Sequence, residues 1–219
     1  MLLTACCAGA QRADWAAFGR YAESNRQVAA GPDSARRVVF MGNSITQFWV
    51  RDRPDFFISN GFIGRGIAGQ TTYQFLSRFR EDVVNLHPVL VVINAATNDI
   101  AENSHPYDES RTMGNIKSMV EIARANGIQV ILTSTLPASG FSWNKDIADA
   151  PEKIASLNRL IAAYADAEGI PYVDYHSHML GEDGRSLSNR YTDDGVHPTV
   201  AGYELMEALI LPYVRNIVK

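Results

Sequence analysis

The chain has 219 residues, of which 46% are hydrophobic and 20% are charged, with a formal net charge of −4. This length and composition are typical of one soluble globular domain with a single core. There is no long block of basic or acidic residues, which argues against nucleic acid or an anionic membrane surface as a partner. No apolar run approaches the roughly 20 residues that a membrane-spanning helix needs.

The N-terminal sequence MLLTACCAGAQ is similar to the end of a bacterial lipoprotein signal, because Leu3-Thr4-Ala5 precedes Cys6. The basic start and most of the apolar core of such a signal are missing. We expect residues 1–12 to be a tail, either a remnant of an export or lipoprotein signal or simply disordered, and residues 13–219 to form one domain. An exported protein is expected, with a cytoplasmic location as the alternative.

The first predicted element is a helix over residues 14–30. Trp15, Phe18 and Tyr21 are spaced three apart there, and would lay one aromatic face on the body of the protein. Five apolar runs without polar alternation follow, as is typical of parallel strands that are covered on both faces. These runs are 38–41, 62–67, 89–93, 130–132 and 170–175.

Amphipathic segments between and after these runs predict helices. Pro151 opens one segment, and Gly127 and Gly169 close two of them, as helix ends prefer. The segments are 71–86, 115–127, 151–169 and 199–219. Strands alternating with helices predict an α/β protein, a three-layer α/β/α sandwich with a mostly five-stranded parallel sheet. Functional groups of such sheets gather beyond the carboxyl ends of the strands.

Ser44 follows the first predicted strand, in the segment GNSIT. If the chain turns from strand into helix there, the hydroxyl of Ser44 projects from the sheet edge, and its amide points into the same space. A serine nucleophile needs this exposure. Ser44 could equally serve only as a cap of the following helix.

A serine becomes an effective nucleophile only beside a base that a third group orients. The segment YTDDGVHPT supplies Asp194 and His197, spaced three apart, and Pro198 disfavours helical geometry at His197. Asp193 lacks the same spacing to His197 and is interpreted as a turn or solvated residue. We therefore predict His197 as the base and Asp194 as its orienting partner.

Attack on an ester carbonyl builds negative charge on oxygen, which preorganised donors stabilise. Three donors follow successive predicted strands: the amides of Ser44 and Gly69, and the side-chain amide of Asn98. Taken alone, Gly69 could serve backbone conformation and Asn98 could cap a helix. Their shared position at adjacent strand ends favours an oxyanion hole.

The segments GNSIT, GIAGQTT, AATNDI and DGVHPT resemble, in this order, the four motif blocks of the SGNH hydrolases, a branch of the GDSL esterases and lipases. The resemblance runs from about residue 36 to the C-terminus and implies the flavodoxin-like fold of that family. It also implies the site roles given above for Ser44, Gly69, Asn98, Asp194 and His197.

Two residues depart from the family pattern. Asn43 stands where the first block usually has aspartate, and asparagine at this position is common in the acetylhydrolase-like members of the family. Ala96 stands where the third block usually has glycine. The extra methyl group of Ala96 would either crowd the oxyanion hole or narrow the pocket.

These features predict a serine esterase that works through an acyl-serine intermediate without a metal or organic cofactor. Small polar loops and the absence of a hydrophobic lid predict a shallow site for short acyl groups, acetyl above all. The resemblance favours small-molecule or carbohydrate esters as substrates. Candidate substrate-pocket residues are Asn43, Phe141 and Trp143, of which the two aromatic residues could stack on a sugar or form the wall of an acyl pocket.

Three alternatives remain open from the sequence, which does not specify the oligomeric state. A lysophospholipase or thioesterase would take longer acyl chains and would need a deeper apolar groove. A carbohydrate-binding protein without turnover could share the same fold. A metal-dependent phosphoesterase could use hard-cation ligands. Those ligands would be Asn98, Asp99, Asp193, Asp194 and His197.

Overall fold

The computed structural model describes residues 14–32 and 38–218, so the tail expected at residues 1–12 lies outside the described part of the chain. The first helix, α1, spans Ala22–Ala30 and follows a short 3-10 turn at Phe18–Arg20. The prediction of one helix over 14–30 with an aromatic face is wrong. Ala17 adopts a left-handed conformation with φ 55°, which interrupts the helix and leaves Trp15 and Phe18 about half exposed.

Five parallel strands form one sheet in the order β2-β1-β3-β4-β5, and they confirm the predicted α/β class. The last strand is shorter than predicted, because the side chain of Asp174 accepts a hydrogen bond from the Ser177 amide at 3.0 Å and caps a new helix. The strands are β1 (Val38–Gly42), β2 (Phe62–Gly66), β3 (Leu90–Ile93), β4 (Gln129–Thr133) and β5 (Tyr172–Val173).

Helices cover both faces of this sheet. One of them, α6, begins earlier than predicted, because Asp108 caps it by accepting a hydrogen bond from the Arg111 amide at 3.0 Å. The helices after α1 are α2 (Ser44–Asp52), α3 (Pro54–Asn60), α4 (Thr72–Asp82), α5 (Thr97–Ile100), α6 (Glu109–Ala125), α7 (Ala150–Ala167), α8 (Tyr175–Met179) and α9 (Val200–Ile217). In the described residues, no helix combines the length and apolar character needed to span a bilayer.

Alternate residues of β1 contribute to two hydrophobic cores, one on each face of the sheet. Val39 and Met41 face a core completed by α4, α6 and α7, whereas Val38 and Phe40 face a core completed by α2, α3, α8 and α9. Because both faces are covered, β1 and β3 carry no polar side chain and are buried at every position, as the sequence indicated, whereas β2 contains Arg65 and β4 begins at the exposed Gln129.

The strand order places β1 between β2 and β3, so the chain leaves β1 at a topological switch point of the sheet. Parallel α/β sheets form their ligand crevices at such points, beyond the carboxyl ends of the strands. The segments that follow β1, β2 and β3 therefore meet at one edge. These segments contain Ser44, Gly69 and Asn98.

Candidate active site

Ser44 is the first residue of α2, and its backbone follows β1 by an abrupt turn. Asn43 is the N-cap residue, and its side chain accepts a hydrogen bond from the Ile45 amide at 2.9 Å. Gly42 makes the turn possible, since a Cβ atom there would lie 2.0 Å from the Oγ1 atom of Thr46. The helix N-terminus and the buried strand thus fix the position of the Ser44 hydroxyl.

The imidazole of His197 lies between Ser44 and Asp194. The Nε2 atom is 2.9 Å from the Ser44 Oγ atom, and the Nδ1 atom is 2.6 Å from the Asp194 Oδ2 atom. An ionised carboxylate only accepts hydrogen bonds, so Nδ1 donates to Asp194 and Nε2 is left to accept the Ser44 hydroxyl proton. The structure brings together the three residues for which the sequence predicts catalytic roles, in the geometry of serine hydrolase triads.

Asp194 is held in its charged form by its own loop. Burial works against the charge, but it is outweighed by hydrogen bonds from the His197 ring and from the amides of His197 and Val196, which lower the Asp194 pKa to about 2. The two amides lie 2.7 and 2.9 Å from the Asp194 Oδ1 atom. The neighbouring Asp193 is exposed and makes no such contacts, in agreement with its interpretation as a solvated residue.

Two aromatic rings flank the imidazole. The Phe48 ring centre lies 5.1 Å from that of His197, and the Trp143 ring centre lies 6.4 Å away. Phe48 was not identified from the sequence, although it lies four residues after Ser44 on α2 and therefore on the same helix face. Both rings border the space in front of Ser44.

That space is a cavity of about 220 Å³. Its lining residues are Ser44, Phe48, Ala68, Gly69, Asn98, Asn103, Trp143 and His197. Trp143 is the one predicted substrate-pocket residue among them. Asn43 is 1% exposed as the helix cap and Phe141 is 3% exposed in the hydrophobic core, so neither borders the cavity.

All three predicted oxyanion donors border this cavity. The Asn98 side chain is oriented by donating one Nδ2 hydrogen to the carbonyl oxygen of Gln70 at 3.0 Å, which leaves its second Nδ2 hydrogen for another acceptor. Within residues 14–32 and 38–218, the amides of Ser44 and Gly69 have no hydrogen-bond acceptor. These groups can therefore donate to a ligand.

Ala96 has φ 81° and ψ −12°, a left-handed conformation that favours glycine. This backbone requirement is a physical reason for the glycine that the family pattern has at this position. The methyl group of Ala96 is 1% exposed and belongs to the core between the sheet and α4, α6 and α7. It does not border the cavity, so neither predicted effect of this methyl group is found: it neither crowds the oxyanion hole nor narrows the pocket.

A buried arginine lies beneath the site. The guanidinium of Arg78 donates to the carbonyl oxygen of Gly42 at 3.1 Å, to Gln70 Oε1 at 2.6 Å and to Asp82 Oδ2 at 2.7 Å. Burial lowers the Arg78 pKa, although Asp82 opposes this effect. Arg78 thereby joins the end of β1 to the segment that contains Gly69.

The acidic groups named in the metal hypothesis are separated by their contacts. Asp99 is fully buried, its two carboxylate oxygens face Thr72, and burial raises its pKa against those hydrogen bonds. Asp194 is bound to His197 instead. Across the described parts of the chain, no group of three or more His, Cys, Asp or Glu side chains is arranged to hold a metal ion.

The fold and the arrangement of Ser44, His197 and Asp194 are those of a serine hydrolase of the α/β/α class. Comparison with known proteins agrees, because residues 40–205 match the model of the GDSL-like lipase/acylhydrolase family. The chain belongs to this family of carboxylic ester hydrolases. A Bacteroides fragilis NCTC 9343 protein with a solved crystal structure is 59% identical to this chain in sequence. The two structures superpose with a TM-score of 0.92, and the match covers 94% of this chain and 100% of that chain.

Two curated relatives are more distant. An acetylxylan esterase of Xylanibacter ruminicola is 21% identical over an alignment of 226 positions, and this alignment covers 87% of this chain and 45% of the relative. A lipoprotein of Bacillus subtilis strain 168 is 28% identical over an alignment of 139 positions, and this alignment covers 56% of this chain and 57% of the relative. The chain thus spans about half the length of the curated relatives it matches.

Proposed function

We propose that the protein is a serine esterase that hydrolyses short-chain carboxylic esters, acetyl esters above all, on carbohydrates or small molecules. The observation that carries the proposal is the hydrogen-bonded series from Ser44 Oγ through His197 to Asp194 at the edge of a small cavity. No step of the proposed reaction requires a cofactor.

The reaction has two halves. His197 Nε2 takes the Ser44 hydroxyl proton while Oγ attacks the carbonyl carbon, and the amides of Ser44 and Gly69 with the Asn98 side chain donate to the developing oxyanion. The tetrahedral intermediate collapses to an acyl-serine as His197 returns the proton to the departing alcohol. Water, deprotonated by His197, then attacks the acyl carbon, and the acid leaves as Ser44 regains its proton. Asp194 orients the imidazole and stabilises its charged form throughout.

The size of the cavity supports a short acyl group. Its volume of about 220 Å³ lies below the roughly 300–1,000 Å³ of sites for drug-sized ligands, and Phe48 and Trp143 bound it with rigid rings. A long acyl chain would extend beyond these walls into solvent. This argues against the lysophospholipase and thioesterase alternatives.

Two observations support a carbohydrate alcohol. The Trp143 ring is about half exposed beside the cavity, where an aromatic face can stack on a sugar ring. One curated relative is an acetylxylan esterase.

The likeness of this chain to a lipoprotein of Bacillus subtilis supports the further proposal that the protein is exported.

The activity is tested with p-nitrophenyl esters of increasing acyl length and with acetate release from acetylated sugars and acetylated phospholipids. We expect the highest kcat/KM for the acetyl ester, and we expect acetate release from the sugars to exceed that from the phospholipids. The Ser44→Ala variant should fold normally by circular dichroism and lose ester turnover by several orders of magnitude. Preference for long acyl chains would overturn the short-acyl assignment, and substantial turnover by Ser44→Ala would remove Ser44 as the nucleophile.

A further inference from the structure

The turn after α5 holds Asn103 in an unusual backbone setting. Glu102, the residue before it, is in the left-handed region with φ 57°, which residues other than glycine adopt only at an energetic cost. The Asn103 amide donates to the carbonyl oxygen of Asn98 at 3.0 Å. Asn103 is therefore fixed by its backbone directly beside a predicted oxyanion donor.

The side chain of Asn103 joins two walls of the cavity. Its Oδ1 atom accepts a hydrogen bond from the indole Nε1 of Trp143 at 2.8 Å, and its Nδ2 atom donates to the carbonyl oxygen of Gly69 at 3.2 Å. Trp143 follows β4 and Gly69 follows β2, so these contacts connect segments that are distant along the chain. A second bond, from Asn144 Nδ2 to the Ala101 carbonyl oxygen at 2.9 Å, ties the Trp143 segment to the same turn.

The Gly69 amide lies between two side-chain hydrogen bonds. On one side, the Ala68 amide donates to Gln47 Oε1 at 2.8 Å, and Gln47 belongs to the same helix as Ser44. On the other side, the Gly69 carbonyl oxygen accepts from Asn103. Gly69 itself has φ 78°, and a Cβ atom there would meet only the Asn103 Nδ2 atom, at 4.0 Å. The Gln70 amide closes this turn on the Ile67 carbonyl oxygen at 3.3 Å, and the side chains of Gln47 and Asn103 hold the turn from its two sides.

We propose that Asn103 is a positioning residue that holds the Gly69 oxyanion donor and the Trp143 wall in one geometry. The inference rests on the proposed ester hydrolysis. Because one amide group makes both contacts, freeing it from Trp143 also loosens its hold on Gly69. Positioning errors of this kind reduce the transition-state stabilisation that preorganised donors supply.

The test is a double-mutant cycle on kcat and KM for an acetyl ester. Asn103→Leu removes both hydrogen bonds at similar side-chain size, and Trp143→Phe keeps an aromatic wall but removes the indole N–H. We expect Asn103→Leu to lower kcat about tenfold with a much smaller change in KM, since a displaced oxyanion donor acts in the transition state. Trp143→Phe should lower kcat several-fold, and the double variant should be no slower than Asn103→Leu alone.

A matched control is available at the opposite edge of the sheet. Asn126 is also an exposed asparagine, and its side chain donates to the Ile122 carbonyl oxygen at 2.7 Å at the end of α6. Asn126→Leu should leave kcat and KM unchanged. If Asn103 had a purely structural role, Asn103→Leu would change the free energy of unfolding without the selective fall in kcat.

The inference is overturned if Asn103→Leu keeps the wild-type kcat, or if the two single changes multiply in the double variant. Both results presuppose that the wild-type protein hydrolyses the acetyl ester with Ser44 as nucleophile. Failure of the proposed function would appear instead as the absence of ester turnover in the wild-type protein.

Discussion

Asp194 has a lowered pKa because of hydrogen bonds that only the folded loop can make. With a folded pKa of about 2, below its ordinary value of 3.8, Asp194 stays ionised through neutral and mildly acidic pH. A carboxyl group whose pKa is lowered on folding stabilises the folded state above its unfolded pKa, and this contribution is lost as the pH falls towards 2. If activity falls on acidification while the pH is still above about 4, protonation of Asp194 is therefore not the cause.

We expect Asp194→Asn to lower kcat by about two to four orders of magnitude, because the amide neither selects the required imidazole tautomer nor stabilises the imidazolium. The stability difference between Asp194→Asn and wild type should be largest above about pH 4 and should shrink steadily as the pH falls towards 2. Steady-state kinetics at pH 7 and urea unfolding between pH 2 and pH 7 measure both effects. The adjacent Asp193→Asn change removes an equal charge without touching His197, so it should leave kcat unchanged. Equal losses in the two variants would contradict the role given to Asp194.

At the scale of elements, Arg78 on α4 connects the end of β1 to the turn that carries Gly69. Its side chain is 0% exposed and that of Asp82 is 3% exposed, so both charges depend on each other and on nearby polar atoms. Asn25 from α1 supplies one such atom, since its Nδ2 donates to Asp82 Oδ1 at 2.7 Å. A buried pair of this kind is costly to break from one side.

Arg78→Met should lower the free energy of unfolding by about 3–5 kcal/mol, because it leaves the Asp82 carboxylate buried without its cation. The double change Arg78→Met with Asp82→Leu should recover a substantial part of that loss, since it removes both charges. Urea unfolding followed by circular dichroism measures the three proteins. If the double variant were no more stable than Arg78→Met, the stability loss would come from the missing Gly42 and Gln70 contacts rather than from the uncompensated carboxylate.

The elements also show where the sequence was informative. Strands could be predicted because burial on both faces requires apolar residues at every position, a rule that β1 and β3 obey. The first helix was predicted too long because aromatic spacing carries no information about the left-handed backbone at Ala17. The last strand was predicted too long because the cap at Asp174 competes with strand extension.

At the scale of the whole molecule, the strand-end rule and the motif order sufficed to predict that Ser44, Gly69 and Asn98 meet at one edge. They did not indicate Asn103, whose place depends on the backbone of Glu102 and on a partner 40 residues away in the chain. Long-range contacts between loops leave no periodic pattern in the sequence. The part of the site that packing determines was therefore predictable, and the part that loop hydrogen bonds determine was not.

The two halves of the site lie in different kinds of local structure. Ser44 follows β1 after a single residue, Asn43, and the residues of β1 are fully buried between two helix layers. Asp194 and His197 belong to residues 180–199, a described segment that contains isolated bridges but no helix or strand. Segments with few buried apolar contacts open locally at a lower free energy than core strands. The base and its partner should therefore separate from the nucleophile before the sheet unfolds.

We predict that amide hydrogens in residues 186–199 exchange at least about tenfold faster than those in residues 38–44 at neutral pH. Residues 203–214 of α9 serve as the internal control, because they lie next in the chain but contribute buried core residues such as Tyr203, Met206 and Ile210. Hydrogen exchange followed by mass spectrometry measures all three regions. In low urea, ester hydrolysis should decline before the circular dichroism signal does, because opening of the His197 segment removes the base while the sheet persists. Coincident decline of activity and circular dichroism, with one exchange rate for all three regions, would mean that the site and the sheet unfold as a single cooperative unit.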